Sequence, residues 1–400
     1  MEPFRGHFTQ QEPIPEDAIR AATDILRSGR LHRYNTVPGE RGAAAELEAA
    51  FAAWQGSPYC LALSSGGFAM ATALRALGVG PGDRVLTNGF TLAPVPGAIA
   101  AVGAEPVLAE ITADLVVDLD DVAAKLAAIR PRAMLLSNMR GHLCDMDALA
   151  ALLEHAGVPL VEDCAHTMGA AWNGRKSGNF GIAGCFSTQT YKHMNSGEGG
   201  LLTSADPAFM ARAVMLSGAY MLYDRHGAAP PPEAFEDIRL DTPNMSGRMD
   251  NLRAAILLPQ LARLDDAIER WNARHDAVAE RLARVAAIRL PHRPQAESYV
   301  GSSIQFTLPG LPPDAVAGVM ADAAALGVEL KWFGAAAPVG FTSAHRSWRY
   351  VPAQDLPRTD AILAGLLDMR IPLTFSLADC AHVAEIIVHC VEVRAARGAA

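Results

Sequence analysis

Long apolar runs are missing from this chain of 400 residues; none approaches the roughly 20 residues that a membrane-spanning helix needs. A basic block is missing as well. The formal charge of −9 is spread along the length, which offers no footing for nucleic acid or an anionic membrane surface. Cysteine is scarce: Cys60, Cys144, Cys164, Cys185, Cys380 and Cys390 show no paired spacing, and most sit in apolar runs, as reduced core thiols do. The opening MEPFRGHFTQQEPIPED has acids and prolines where a secretory signal needs an apolar core. A Gly-x-Ser-x-Gly turn is also absent, which excludes the usual strained serine nucleophile. These absences predict a cytoplasmic protein without nucleic-acid or membrane partners. What is present is hydrophobic bulk, half of all residues, enough for a large core and two domains.

From about residue 59 the chain alternates short apolar runs with helical periodicity. Strands are expected at 59–63, 84–87, 105–108, 133–137, 158–162 and 183–188, with helices at 68–77, 94–102, 118–129 and 147–156 between them. Helices over 13–29 and 43–54 precede this series. Such a rhythm predicts a mostly parallel sheet with helices on both faces, a three-layer αβα architecture. Beyond residue 240 the pattern changes. A long helical stretch over 248–286 contains Pro259, expected to kink or restart it. Then follow a strand at 303–308, a helix at 313–325, short strands at 328–331 and 369–373, and a terminal helix at 377–395. The reading is a large domain over 1–250 and, over 251–400, a linking helix with a smaller α+β domain.

Ligands in such sheets bind beyond the carboxyl ends of the strands, and several notable residues fall there. Asp163 ends one apolar run and Ser187 another, with Lys192 five residues on, before the corner Gly197-Glu198-Gly199-Gly200. Ser65-Gly66-Gly67 stands between a strand and a helix, where backbone N–H groups and the helix dipole favour a phosphate. A lysine in a polar loop is ordinarily a solvated charge and an acid at a strand end an ordinary cap. Together they match the needs of pyridoxal 5′-phosphate: an amine for its aldehyde, a carboxylate for its ring nitrogen and donors for its phosphate. Glu162 should point away from Asp163 on an alternating strand. His142, Cys144, Cys164 and His166 form a rival set for zinc, but their spacings are not those of common structural zinc sites, so no metal is expected.

With these residues in hand, the chain resembles the DegT/StrS-type aminotransferases of the fold type I pyridoxal-phosphate class. The resemblance rests on SSGGFAMATAL (64–74), GDRVLTNGFTLAPVPGAIAAVGAEPVLAEI (82–111), RGHLCDMDAL (140–149), VEDCAHTMGAAWNGRKSGNFG (161–181), CFSTQTYKHMNSGEGG (185–200) and RMDNLRAAILLPQL (248–261). It implies that Lys192 holds the cofactor as a Schiff base and shuttles the proton, that Asp163 pairs with the pyridine nitrogen, and that His166 lies near the ring hydroxyl. It further implies that Ser65, Gly66, Gly67 and Ser187 serve the phosphate. The family pattern departs at three places: Gly67 where a threonine is usual, Leu92 where an aromatic stacks on the ring, and Asn244 displaced by two residues.

The resemblance implies transfer of an amino group from glutamate or glutamine to a ketone on a sugar, cyclitol or related polyol, in a homodimer with shared active sites. Tyr34, Trp332 and His345 are candidate substrate contacts, beside His32, Arg33, Arg346 and Trp348. Two other readings share the fold: a sugar dehydratase, in which a histidine typically replaces the lysine that is retained here, and a cofactor-binding regulator without turnover.

Overall fold

The structure, a computed structural model, describes residues 1–398. Helices α1 (Glu16–Ser28) and α2 (Ala43–Gln55) precede a repeating series: β1 (Tyr59–Leu63), α3 (Gly66–Ala76), β2 (Arg84–Asn88), α4 (Pro94–Ala101), β3 (Glu105–Ala109), α5 (Leu119–Ile129), β4 (Ala133–Ser137), α6 (Met146–Ala156) and β5 (Leu160–Asp163). After the short strands β6 (Ala171–Trp172) and β7 (Arg175–Lys176) come β8 (Ala183–Ser187), β9 (Gly200–Ser204) and α7 (Pro207–Ser217). Seven strands form one sheet in the order β1-β9-β8-β5-β4-β2-β3. All its pairings are parallel except those of β9, which runs antiparallel to both β1 and β8. This is the mostly parallel α/β architecture that the rhythm of the sequence predicts.

One face of the sheet is covered by α3, α4 and α7, with Leu74, Ile99 and Val214 fully buried. The other face is covered by α5 and α6 through Val122, Leu149 and Leu153. Strands that are apolar on both faces, such as β4 (AMLLS, buried throughout), follow from this double cover.

The second half holds α8 (Asn251–Leu261), α9 (Leu264–Leu282), β10 (Glu297–Ser298), β11 (Ser303–Thr307), α10 (Pro313–Ala325), β12 (Lys331–Trp332), α11 (Pro357–Ala364), β13 (Leu366–Arg370) and α12 (Leu377–Gly398). Strands β11, β13 and β12 form a small antiparallel sheet. Its apolar face packs on α9, α10 and α12. Phe4 and Phe8 join this same core, and the Phe4 N–H donates to the Leu326 carbonyl. The first residues therefore pack with the C-terminal unit, although the sequence reading grouped them with the large domain.

Other local expectations shift for physical reasons. Pro259 lies inside α8, and the helical run breaks only at 262–263 before α9 restarts it. The Gln260 amide donates to the Ile256 carbonyl at 2.8 Å, supplying a partner beside the missing proline donor. The strand expected at 369–373 occupies 366–370, because Pro372 has no N–H and the Ile371 N–H goes to Ser302. The strand expected at 328–331 is reduced to Lys331–Trp332, and β9, α7 and α11 join the predicted elements.

Candidate active site

Three strand ends meet at one rim of the large sheet. Ser137 on β4 is in register with Asp163 on β5, and Asp163 with Cys185 on β8. The rim is tightly packed. A Cβ on Gly66 would come within 2.9 Å of Ser187 Cβ, and one on Gly200 within 2.3 Å of the Ser65 carbonyl oxygen. Glycine is required there by close approach. Ser65 caps α3, its Oγ accepting from the Phe68 N–H at 3.0 Å, so the positive end of that helix opens onto the rim.

Asp163 is buried at 7% exposure. Its Oδ2 accepts from the Ser137 hydroxyl at 3.2 Å and its Oδ1 from the Ala165 N–H at 3.1 Å. Burial raises its pKa, opposed by the Ala165 N–H, the Lys192 charge and Ser137. Two accepted bonds leave the carboxylate with acceptor capacity. The neighbouring Glu162 faces the other way, as alternation demands, and accepts from the N–H groups of Gly178, Phe180 and Gly181.

Lys192 hangs from the segment after β8, its Nζ 2.8 Å from His166 Nε2. Burial pushes its pKa down to about 7, assisted by the Arg140 charge, while Asp163 works in the opposite direction. His166 is held well below the usual imidazole range, first by burial and then by the Lys192 and Arg140 charges. A neutral His166 can accept the ammonium's hydrogen bond. Ser187 Oγ accepts from the Gln189 N–H at 3.4 Å, which leaves its proton available to a ligand.

Gly66, Gly67, Leu92, Asp163, His166, Ser187 and Lys192 line one cleft, with Met139 and Val95 adding apolar wall. Its donor set fits pyridoxal 5′-phosphate: a low-pKa amine, a buried acid, a helix N-terminus with a free hydroxyl, and apolar side chains for the ring. At Gly67 an added Cβ would meet nothing closer than 3.9 Å, so the missing threonine leaves open space rather than a repacked wall.

Four candidates from the sequence lie away from this cleft. The Tyr34 phenol is bound to His226 Nε2 at 2.7 Å inside a buried cluster with Arg33 and Glu48. The Trp332 indole donates to the Ala364 carbonyl, and the buried His345 pairs with Asp360. The Asn244 side chain accepts from the Ser246 N–H. The four possible zinc ligands also separate: His142 bonds Gln305, Cys144 lies beside Met146, Cys164 bonds Ser177 and His166 meets Lys192. Among the described residues no group of three His, Cys, Asp or Glu side chains is gathered for a metal.

Ser137 and Arg140 are the residues that sequence reasoning missed. Ser137 is readable only through the β4–β5 register. Arg140 has a left-handed backbone (φ 56°), strained for a long side chain, and is buried, with its guanidinium 3.0 Å from Asp368 Oδ2.

Residues 13–388 match the sequence model of the DegT/DnrJ/EryC1/StrS aminotransferase family. The L-glutamine:scyllo-inosose aminotransferase of Streptomyces griseus is 34% identical over 305 residues, 74% of this chain and 67% of that protein. The L-glutamine:2-deoxy-scyllo-inosose aminotransferase of Micromonospora echinospora is 34% identical over 278 residues, 68% of this chain and 64% of that protein. This chain therefore spans about two thirds of the length of the curated relatives it matches. Among solved structures, S. venezuelae DesV superposes with a TM-score of 0.78 at 26% identity, over 94% of each chain. The aminotransferase TlmJ of Streptoalloteichus hindustanus gives 0.81 at 22% identity, over 98% of this chain and 99% of its own, a likeness of fold.

Proposed function

The chain belongs to the DegT/DnrJ/EryC1/StrS aminotransferase family, and on that premise we propose that it moves an amino group from glutamine or glutamate to a ketone on a cyclitol, sugar or related polyol. The observation that carries this reading is the pairing, in one cleft, of a lysine amine poised near neutrality with a buried carboxylate held in place by Ser137 and Ala165. The names of the relatives from Streptomyces griseus and Micromonospora echinospora support a cyclitol ketone as acceptor and glutamine as donor.

Enzymes of this family use pyridoxal 5′-phosphate, which supplies an aldehyde that condenses with amines and a ring that withdraws electrons from the carbon losing its proton. The chain's own residues do the rest. Lys192, with a substantial neutral fraction at pH 7, would be the amine that holds the cofactor's aldehyde and, when free, the base that takes a proton from the substrate carbon and returns it. Asp163 holds a proton at the ring nitrogen, and its low-dielectric setting strengthens that charge pair. His166 orients the Lys192 amine. Gly66, Gly67, Ser187 and the α3 N-terminus hold the phosphate, and Leu92 gives the ring an apolar face. Taken as two domains, residues 1–250 carry this site and 251–400 the smaller unit, into whose core Phe4 and Phe8 also pack.

We further read the protein as a homodimer. Apolar exposure supports this at Leu31 and Val37, and at Tyr220 and Met221, in segments tied together by Arg225, which donates to the Tyr34 carbonyl. The six buried, unpaired cysteines support a cytoplasmic location. No helix among the described residues is long and apolar enough to cross a membrane.

The test is an absorbance titration. Protein loaded with pyridoxal 5′-phosphate should show the visible band of a lysine-bound cofactor, and glutamine or glutamate should bleach it. Lys192→Ala should abolish the band and the borohydride-fixed adduct. An adduct that survives in Lys192→Ala would remove Lys192 from the role.

A further inference from the structure

The stretch that carries Lys192 has no ladder of its own. Between β8 and β9 the chain belongs to neither helix nor strand, so side chains must hold it. Asn195 is clamped by Gln260 of α8, whose amide accepts from the Asn195 N–H and donates to its carbonyl, both at 2.8 Å. Nearer the amine, the Lys192 N–H goes to the Gln189 carbonyl. Packing leaves room here: Lys192 and His193 border a cavity of about 150 Å³, lined also by residues 11–15.

Both neighbours of Lys192 are gripped by the second half of the chain. On one side the Arg370 guanidinium of β13 lies 3.8 Å over the Tyr191 ring. On the other, His193 enters a closed circuit. Its Nε2 is 3.1 Å from the Ser302 hydroxyl, and its ring meets the Trp271 indole edge to face, with centroids 5.3 Å apart. The Trp271 Nε1–H donates to the Ile371 carbonyl at 3.1 Å, and the Ile371 N–H donates to the Ser302 carbonyl at 2.9 Å. Ser302 and Ile371 stand where β11 begins and β13 ends, so His193 is bound to the end of the small sheet.

His193 supplies neither charge nor a wall to the cofactor cleft. It is buried and does not line that cleft. Burial and the Lys192 charge pull its pKa down to about 3, so the imidazole is neutral at pH 7. Its Nδ1 has no partner among the described residues, which leaves the bond to Ser302 as the ring's one hydrogen bond among them. The charges that reach Lys192 come from elsewhere: Asp163, and the cations Arg140, Arg370 and Lys331, of which Arg140 and Lys331 pair with Asp368 on β13. What His193 contributes is a fixed point in the backbone, one residue from the amine. Misplacing a reacting group by about 1 Å can cost about a hundredfold in rate.

We propose that His193 is a positioning residue for Lys192: its contacts with Ser302 and Trp271 tie the backbone beside the reacting amine to the small sheet, and so set the direction from which that amine meets the cofactor's aldehyde. This role rests on the aminotransferase reading above and extends it to a residue outside the cleft.

The experiment compares variants by the visible circular dichroism of the bound cofactor. Pyridoxal 5′-phosphate is achiral, so the dichroism of its lysine-bound band reports the orientation that the protein imposes. Ser302→Ala removes only the hydroxyl, and in His193→Asn the shorter amide reaches no farther than the place of Nδ1. Both should lose about half or more of the dichroism per unit absorbance, and the band should appear about tenfold more slowly when cofactor is added to cofactor-free protein. Glutamine reaches the place of Nε2 and threonine keeps the hydroxyl, so His193→Gln and Ser302→Thr should retain most of both signals. Thermal melting is recorded for every variant. Wild-type dichroism and rates in Ser302→Ala and His193→Asn would overturn the proposal. So would losses that track the melting temperature alike in all four variants, because a merely structural contact gives that result. If the wild type shows no visible band with pyridoxal 5′-phosphate, the aminotransferase reading fails and this role with it, and that outcome is read before any variant is compared.

Discussion

Lys192 is charged at its own expense. Its folded pKa of about 7 lies below the ordinary lysine value of 10.5, so the cofactor-free fold pays for every proton the amine holds between those values. The penalty is complete below pH 7 and vanishes above pH 10.5, where the unfolded chain is neutral too. Lys192→Met should therefore raise the melting temperature of the cofactor-free protein most at pH 6, with the gain shrinking steadily toward pH 10, as thermal melts across that range will show. Asp163→Asn should leave the visible cofactor band in place yet lower turnover by about a hundredfold or more, since the ring nitrogen loses its ionic partner. Near-normal turnover would remove Asp163 from its role. These two residues stood out in the sequence because Asp163 ends a recognisable strand and Lys192 follows five residues after the end of another. Arg140, Lys331 and Arg370 were not. An isolated basic residue in sequence reads as solvated surface, and only the register that sets Lys331 beside Asp368 reveals a cluster.

At the level of elements, α3 and the strand ends around its first turn decide how the phosphate is held. Gly67→Thr has room for its side chain and would restore a hydroxyl at a helix N-terminus. It should tighten cofactor binding by about tenfold, measurable as the dissociation constant from absorbance titration. Gly200→Val has no such room, because its Cβ would press on the Ser65 carbonyl. It should destabilise the protein by about 2 kcal/mol or more, seen as a drop in the denaturation midpoint. The αβ alternation was legible because strands covered on both faces read as continuous apolar runs. Strand β13 was displaced by three residues in the sequence reading because Ile371-Pro372-Leu373 is as apolar as the true strand, and hydropathy does not register the missing donor of Pro372. The α8–α9 break was foreseen in kind, since proline forbids one helical bond, but it falls at 262–263, beyond Pro259 itself.

For the molecule as a whole, the placement of Phe4 and Phe8 in the C-terminal core was invisible to a reading that works outward from local periodicity. Two aromatic residues near a chain end carry no period. Their edge-to-face contacts with Phe375 bring together residues more than 360 positions apart. Double substitution of Phe4 and Phe8 by alanine should loosen the C-terminal unit, visible as faster amide exchange in β11 and β13 with β4 and β5 left protected. The same packing has a mechanical consequence. The polypeptide passes between the two units once through the residues after Phe8 and again along α9, which places Trp271 in the large core and Val278 and Leu282 in the small one. A body tethered at two separate points behaves as a door on two hinges: it can swing about the line that joins them and is denied the other rotations. The wall bearing Lys331 and Arg370 would then approach and leave Lys192 along one arc, and not by free rotation.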